Sequence, residues 1–437
     1  MIEARFASAM AALGPFERAP RLAVAVSGGS DSLALALLAA DWARGQGGEA
    51  IALTVDHQLR PGSRAETEQA GRWLTARGIE HHILCWQESE AGPGLQAAAR
   101  EARYRLLAGW CRERHILHLL LGHQRDDQAE TLMLRLARGS GVDGLAAMAP
   151  CAAHADLQLL RPLLDFSREE LREYLRGHDQ DWVEDPSNQA ERFDRVRWRN
   201  FLTAERIPAE RLALTARQLG RARQALEADC AALAAEMVTI RDSGHAEFDP
   251  APLSIAPSEV ALRLLAALAR TVGGGEFPPR LDGLERMHEA LCVGLSGRRT
   301  FAGCVFAPRR NGGVLVYREA AKMAPAVTLG PGGAGLWDNR FSIRLAGEGG
   351  AAGGATWGPL GAEAARDFRE AAEKLDLPRA VLPTLPALMD KRGILAVPPL
   401  GWISAGTGLT ISRWGYTPGF PLAGAGFRLV TTPARII

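Results

Sequence analysis

Leu22-Ala23-Val24-Ala25-Val26-Ser27-Gly28-Gly29-Ser30-Asp31-Ser32 decides how the rest of the chain is read. Leu22–Val26 is a continuous apolar run of the kind a strand buried on both faces shows. Ser27 to Ser32 follows at once, and then Leu33 to Ala40, rich in Ala and Leu with no breaker. Strand, glycine turn and helix start therefore fall within a dozen residues. The paired glycines let the backbone pass close to a ligand, and the free N–H groups of the helix's first turn favour an anion, most simply a phosphate. The plainer alternative is a turn in which Ser30 or Asp31 only caps a helix.

The pattern G-x-x-x-x-G-K-[ST] occurs nowhere, and the chain has only three lysines, Lys322, Lys374 and Lys391. A nucleotide in the first half must be held by backbone N–H groups, hydroxyls, arginines and a metal ion. The SGGSDS string directly after a buried strand resembles the pyrophosphate loop of the ATP pyrophosphatase class, whose members convert ATP to AMP and pyrophosphate.

The 437 residues are enough for about three domains, each with its own core. A net charge of +1 makes charge informative only where it clusters. The six cysteines are widely spread with no C-x-x-C pair, which argues against a zinc ribbon, an iron–sulfur site or a disulfide scaffold and fits a reducing cytoplasm. Ile2, Phe6, Met10 and Leu13 stand at helical spacing beside Glu3 and Arg5, unlike a secretory signal, and no apolar stretch reaches membrane-span length.

Strands are expected at Leu22–Val26, Ile51–Val55, His81–Cys85 and Ile116–Leu121. Helices are expected at Ser32–Arg44, Arg64–Arg77, Leu95–Arg114 and Asp126–Arg138. This βαβ alternation implies a parallel sheet covered on both faces, with ligands beyond the carboxyl ends of its strands. The second strand runs into Asp56-His57, which either face the nucleotide or open a polar loop completed by Pro61-Gly62. The fourth ends in Gly122-His123-Gln124-Arg125-Asp126-Asp127-Gln128-Ala129-Glu130-Thr131. Asp127 and Glu130 share a face of the helix's first turn, with His123 just before it. Acids there can merely complement the helix dipole. Grouped on the same rim as the glycine loop, they are suited to hold a magnesium ion or a substrate ammonium group and to help it lose a proton.

Further motifs are Gly94-Leu95-Gln96-Ala97-Ala98-Ala99-Arg100-Glu101-Ala102-Arg103-Tyr104, Arg138-Gly139-Ser140-Gly141-Val142-Asp143-Gly144-Leu145, Arg161-Pro162-Leu163-Leu164 and Trp182-Val183-Glu184-Asp185-Pro186-Ser187-Asn188. With VDHQLRPGS and HQRDDQAET, in this order, they resemble the tRNA(Ile)-lysidine synthetases, closely over about the first 200 residues and loosely beyond. The resemblance implies an α/β fold: a Rossmann-like PP-loop ATP pyrophosphatase domain of the adenine nucleotide alpha hydrolase type. A helical segment and a small mixed α/β C-terminal domain follow. It implies ligation of free L-lysine to the wobble cytidine of the CAU anticodon of isoleucine tRNA through an adenylated cytidine, with ATP and Mg2+ as cofactors, in the cytoplasm and without a membrane. Ser27, Gly28, Gly29, Ser30, Asp31, Ser32, Asp56 and His57 would bind ATP, with Asp31 a candidate magnesium ligand. Asp31, Asp127 and Glu130 would be catalytic. His123, Arg100, Arg103, Arg195, Arg197 and Arg199 would contact lysine or tRNA. The oligomeric state, a homodimer included, stays open.

From Arg192 to Arg223 nine arginines face three acids, Asp194, Glu205 and Glu210. The run is either a solvated helix face or a phosphate-contacting one. The family pattern has Asn where Val196 stands here. The segments expected are 1–210, the catalytic domain; 211–325, mainly helical and tRNA-contacting; and 326–437, mixed and tRNA-binding. Within them Arg211–Ile240, Ser258–Arg270 and Leu281–Leu295 read as helices of an all-α stretch. Thr300–Phe306 and Gly313–Arg318 read as a hairpin, Arg298, Arg299, Arg309 and Arg310 as candidate backbone contacts, and 330–361 as a glycine-rich loop or linker. Two other functions remain open on the residues: a related tRNA thiolase, disfavoured by the scattered cysteines, and a non-catalytic nucleotide-gated tRNA-binding module.

Overall fold

The computed structural model describes residues 1–56, 62–86, 95–154, 157–184, 194–330, 332–346, 354–405 and 410–422. It divides into two compact units, the first from Met1 to Arg223 and the second beginning at Gln224.

The first unit runs α1 (Ile2–Leu13), β1 (Arg21–Ala25), α2 (Ser30–Gly45), β2 (Glu49–Asp56), α3 (Ser63–Ala76), β3 (Glu80–Cys85), α4 (Leu95–Glu113), β4 (His118–Leu121), α5 (Arg125–Leu136), α6 (Val142–Leu145), β5 (Cys151–His154), β6 (Leu157–Leu160), α7 (Arg168–Arg176), α8 (Asp194–Ala204) and the start of α9 (Ala209–Met237). The six-stranded sheet has the order β3-β2-β1-β4-β6-β5. All its neighbours pair parallel except β5 with β6. The apolar run after Arg21 divides by alternation. Leu22, Val24 and Val26 join a core built with α1, α2 and α7, whereas Ala23 and Ala25 join one built with α4. Each fully buried aliphatic side chain contributes about 1.5–3 kcal/mol, so a strand apolar on both faces fits only a central, doubly covered position. Phe6 and Met10 of α1 are buried in the first of these cores.

The expected four strands are therefore joined by two more. The β5–β6 hairpin was not foreseen because each strand is four residues long and neither alternates. No helix among the described residues is long and apolar enough to cross a membrane.

The second unit corrects the all-α expectation. The helix expected over Arg211–Ile240 ends at Met237, and Val238–Ile240 is β7. With β8 (Ala246–Phe248), β9 (Arg299–Phe301), β10 (Cys304–Pro308) and β11 (Val314–Arg318) it forms an antiparallel sheet, order β7-β8-β11-β10-β9. Helices α10 (Ser258–Gly273) and α11 (Leu281–Val293) cover it through Leu264, Leu268, Leu284 and Met287. Thr300–Phe306 is two strands rather than one, because Ala302 (φ 49°) and Gly303 (φ 75°) make a two-residue turn. The Arg309–Gly312 connection between β10 and β11 is a turn, as expected.

The presumed linker at 330–361 contains β13 (Ala334–Trp337), β14 (Phe341–Leu345) and β15 (Ala355–Pro359); its densest glycine stretch, 347–353, lies outside the described residues. The strands β12 (Val327–Leu329), β15, β16 (Pro386–Asp390), β17 (Gly393–Val397) and β18 (Trp402–Ile403) form one sheet, and β13, β14 and β19 (Ile411–Tyr416) another. Trp337, Phe341 and Trp357, all buried, lie in one core between them. Residues 211–325 and 326–437 are not packed apart. Leu315 and Tyr317 of β11 share a core with Phe368, Leu382 and Val397. Arg318 and Arg340 grip the buried carboxylate of Asp338, each with a contact of 2.8 Å.

Candidate active site

Parallel pairing of β1, β2 and β4 puts their carboxyl ends on one rim, where the glycine loop, Asp56 and the segment leading into α5 follow. Beyond β1 the chain turns through Gly28, at φ 84°, into α2. Gly29 caps that helix without a side-chain hydrogen bond, so the first-turn N–H groups and the positive end of a 16-residue dipole are left to a ligand. The hydroxyls shape the loop: Ser32 Oγ accepts from Ser27 N at 3.1 Å and donates to Gly29 O at 3.0 Å, and Ser30 Oγ donates to Asp31 Oδ1 at 3.1 Å. Val183 N, just before the EDPSN motif, donates to Gly28 O at 2.9 Å and locks the turn from above.

The fourth strand is brought against this loop by Gly122. A Cβ there would lie 3.2 Å from Ser32 Cα and N, so any side chain would push the acid-bearing helix α5 away from α2. At the start of α5, Gln124 and Asp127 form a reciprocal cap: Gln124 N donates to Asp127 Oδ2 at 3.0 Å and Gln124 Oε1 accepts from Asp126 N. Asp127 thus has a structural duty as well as its charge. One turn on, Glu130 is buried, its side chain 1% exposed. Its Oε1 accepts from Arg199 Nε at 2.8 Å and lies 2.7 Å from Arg199 Nη2, while Oε2 has no hydrogen-bond partner among the described residues.

Burial pushes the Asp31 carboxyl up from its ordinary range; Arg168 pulls it down and the neighbouring charge of Asp127 pushes it further up. Burial likewise raises Glu130, opposed by Arg199 and reinforced by Asp127. The phosphate loop and the acidic helix therefore sense each other's charge.

The sequence reading missed Arg168. It is the first residue of α7, its Nε stands 3.6 Å from Asp31 Oδ2, and its backbone N donates to Asp126 Oδ2 at 3.2 Å. Burial of its guanidinium is outweighed by Asp31, Asp127, Glu130 and Asp126, so its affinity for the proton rises. Arg168, Arg199, Asp126 and Glu130 line a cavity of about 240 Å³ with Ala129, Leu202, Thr203, Ile207 and Ala209. The available signal was an arginine in the first turn of a helix already capped by Ser167 and Glu170, where a cation opposes the dipole.

Among the other expected residues, Asp56 ends β2, is buried and accepts from Ser63 Oγ at 3.0 Å, which ties β2 to α3. His57 lies outside the described residues, as do the side chains of Arg100 and Arg195. His123 is half-buried on the rim, Arg103 is half-buried on α4, and Arg197 is exposed on α8. Arg199 turns inward to Glu130 rather than outward. Val196 is buried, as the inward face of α8 requires of an apolar residue.

Strand, glycine turn, uncapped helix and facing acids define a nucleotide-binding PP-loop domain, and the PP-loop domain family model matches residues 2–206. Over 335 residues the chain is 37% identical to the tRNA(Ile)-lysidine synthase of Wolbachia pipientis wMel, covering 75% of this chain and 77% of that one. Over 328 residues it is 40% identical to that of Ruegeria pomeroyi, covering 74% and 76%. Among solved structures, a U34-tRNA thiolase from Methanococcus maripaludis aligns with a TM-score of 0.42 and 18% identity, over 50% of this chain and 78% of that chain. The chain belongs to the tRNA(Ile)-lysidine synthase family.

Proposed function

We propose that the rim performs the family's ATP-dependent ligation in two steps. First the wobble cytidine of a CAU-bearing isoleucine tRNA is adenylated: its carbonyl oxygen attacks the α-phosphorus of ATP and pyrophosphate leaves. Adenylation turns a poor leaving group into AMP. Then the side-chain amine of free lysine attacks the activated carbon, AMP departs and the amine loses a proton, giving lysidine. The observation that carries this reading is the meeting of Ser32 and Gly122, which sets the uncapped start of α2 and the acids of α5 on one rim.

In this reading Ser27 to Ser32 cradle the phosphates with backbone and hydroxyl donors. Asp127 and Glu130 receive lysine, an ammonium ion that must shed a proton before it attacks. Arg103, Arg195 and Arg197, with Arg298, Arg299 and Arg310, are the candidate contacts to tRNA phosphates. Arg309 is paired with Glu247 and is a weaker candidate. Residues 1–210 are the catalytic domain of this proposal, and 211–325 and 326–437 hold the tRNA, in the cytoplasm.

Magnesium fits this donor set in one way. Among the described residues no group of three His, Cys, Asp or Glu could cage a metal. Magnesium usually takes one or two carboxylates plus substrate phosphates, which Asp31 beside the phosphate cradle provides. Bound there, it would neutralise charge developing on the phosphates.

The test is incubation with ATP, L-lysine and isoleucine tRNA bearing CAU. Lysine incorporation with stoichiometric AMP and pyrophosphate is expected. Sulfur transfer independent of lysine would instead indicate a thiolase, and tRNA binding without pyrophosphate release a non-catalytic module.

A further inference from the structure

Two motifs that the reaction above leaves without a role, Arg138–Leu145 and Arg161–Leu164, meet the acid-bearing helix at one place. Between them the segment 148–150 leads into β5, whose Cys151 pairs with Leu160 at the carboxyl end of β6. Because β6 runs parallel to β4, this segment lies on the same rim as the start of α5. Its three residues are each tied down. Gln128 Nε2 donates to Met148 O at 2.9 Å, and Gln128 Oε1 accepts from Met148 N at 2.8 Å. Arg161 Nη1 donates to Ala149 O at 2.8 Å, and Arg161 N to Pro150 O at 2.8 Å. Gln128 is buried, and its amide is matched, donor for acceptor, to both backbone groups of one residue. A carboxylate would lack the donor and an ammonium the acceptor, so the contact selects an amide. The chain reaches Met148 through Ala147 at φ 50°, a left-handed conformation that a residue with a Cβ keeps only where its surroundings fix it.

Helical geometry gives this clamp its consequence. Successive residues turn by about 100°, so Gln128 and Glu130 lie about 160° apart around α5, with Asp127 on the arc between them. Glu130 is held on one side by Arg199 of α8, Gln128 on the other by Met148, and Gln124 caps the end. A helix pinned on two opposite sides cannot roll about its axis. Released, a roll of about 20° would carry a carboxylate about 5 Å from the axis through about 2 Å, and a misplacement of about 1 Å can cost about a hundredfold in rate. Resting on the assignment of Asp127 and Glu130 to lysine above, we infer that Gln128 is a positioning residue for lysine transfer: it sets the roll of the first turn of α5, and with it the direction in which Asp127 faces the incoming ammonium. The segment between the two motifs is the fixed anchor that Gln128 grips.

The experiment follows the two chemical steps separately in Gln128→Met, which keeps the length of the side chain and removes both hydrogen bonds. The KM for L-lysine should rise at least about tenfold, while adenylation, read as tRNA-dependent pyrophosphate release without lysine, should change by less than about threefold in rate and in KM for ATP. A merely destabilised enzyme would lose both steps by the same factor with both KM values unmoved, and that result overturns the inference. Ala147→Gly, added to Gln128→Met, relieves the left-handed backbone. It should raise the melting temperature above that of Gln128→Met without restoring the KM for lysine; recovery of both overturns the inference, and the double variant carries the measurement if the single one does not fold. Met148→Leu keeps the backbone contact and should use lysine as the wild type does; a rise matching that of Gln128→Met would place the effect in side-chain packing and overturn the inference too. If Asp127→Asn lowers lysine transfer and Gln128→Met does not, this inference alone fails. If Asp127→Asn transfers lysine normally, the reading beneath fails and takes this one with it.

Discussion

Replacing Arg199 by Ala tests the electrostatics of the site through stability. Glu130 has a 1% exposed side chain, and among the described residues Arg199 alone hydrogen-bonds it. Breaking a fully buried pair costs about 3–5 kcal/mol. Arg199 is 32% exposed and the cavity beside it admits water, so the low end of that range applies. Protonation sets a ceiling, because the orphaned carboxyl escapes its penalty by taking up a proton. From an ordinary value of 4.5, this costs about 3.4 kcal/mol at pH 7 and about 0.7 kcal/mol at pH 5. The sign follows: a carboxyl held above its unfolded value costs nothing below that value and progressively more as pH rises above it. Urea unfolding of Arg199→Ala, followed by tryptophan fluorescence, should therefore show a deficit of about 3 kcal/mol at pH 7 that falls below about 1 kcal/mol at pH 5. Adding Glu130→Gln to that variant should remove most of the pH 7 deficit, since no buried charge is then stranded. A deficit equal at the two pH values, or undiminished in the double variant, would refute the reasoning.

Three other outcomes follow from the same geometry. Gly28→Ala forces an alanine to φ 84°, a strained conformation for any residue with a Cβ; it should cost about 1 kcal/mol in stability and sharply raise KM for ATP in tRNA-dependent pyrophosphate release. Asp127→Asn keeps an acceptor for Gln124 N but loses the charge, so pyrophosphate release should persist while lysine transfer falls at least about tenfold; collapse of ATP affinity with lysine affinity intact would mean the roles are reversed. Burial alone would raise Glu170, but hydrogen bonds from the backbone and hydroxyl of Ser167, and from Arg5, bring it down to about 2. Its contribution is present above the ordinary value of 4.5 and lost as pH falls towards 2, so Glu170→Gln, measured by thermal melting, should flatten that acid limb and cost about 1 kcal/mol at pH 7 after solvent screening.

What the sequence showed and hid has a common physical cause. The glycine loop and the acids of α5 were legible because the chemistry of each lies in consecutive residues whose backbone conformation they largely determine. The sheet around them followed from the apolar run Leu22–Val26 and from three further short, largely apolar segments that alternate with helical patterns. Short strands such as Cys151–His154 lack that period, and the turn at Ala302-Gly303 is hidden inside an otherwise strand-like run. The stretch 330–361 misled because glycine content suggests flexibility, whereas Trp337, Phe341, Ile343 and Trp357 are core residues; large apolar side chains at near-strand spacing outweigh intervening glycines once there is a sheet to cover.

Arg168 and the Glu130–Arg199 pair escaped for a different reason. Glu130 and Arg199 are 69 positions apart, and Arg168 meets Asp31, Asp126 and Glu130 only because α7 folds back onto α2 and α5. No spacing rule encodes such a meeting. What a sequence can carry is the local anomaly it leaves behind: an arginine at the positive end of a helix already capped, or an acid one turn inside a helix on a face that must be buried. Each is unfavourable where it stands, so each implies a partner of opposite charge elsewhere in the chain or in a ligand. For Glu130 Oε1 the partner is in the chain. For the Arg168 guanidinium it is the group of acids made by Asp31, Asp126, Asp127 and Glu130.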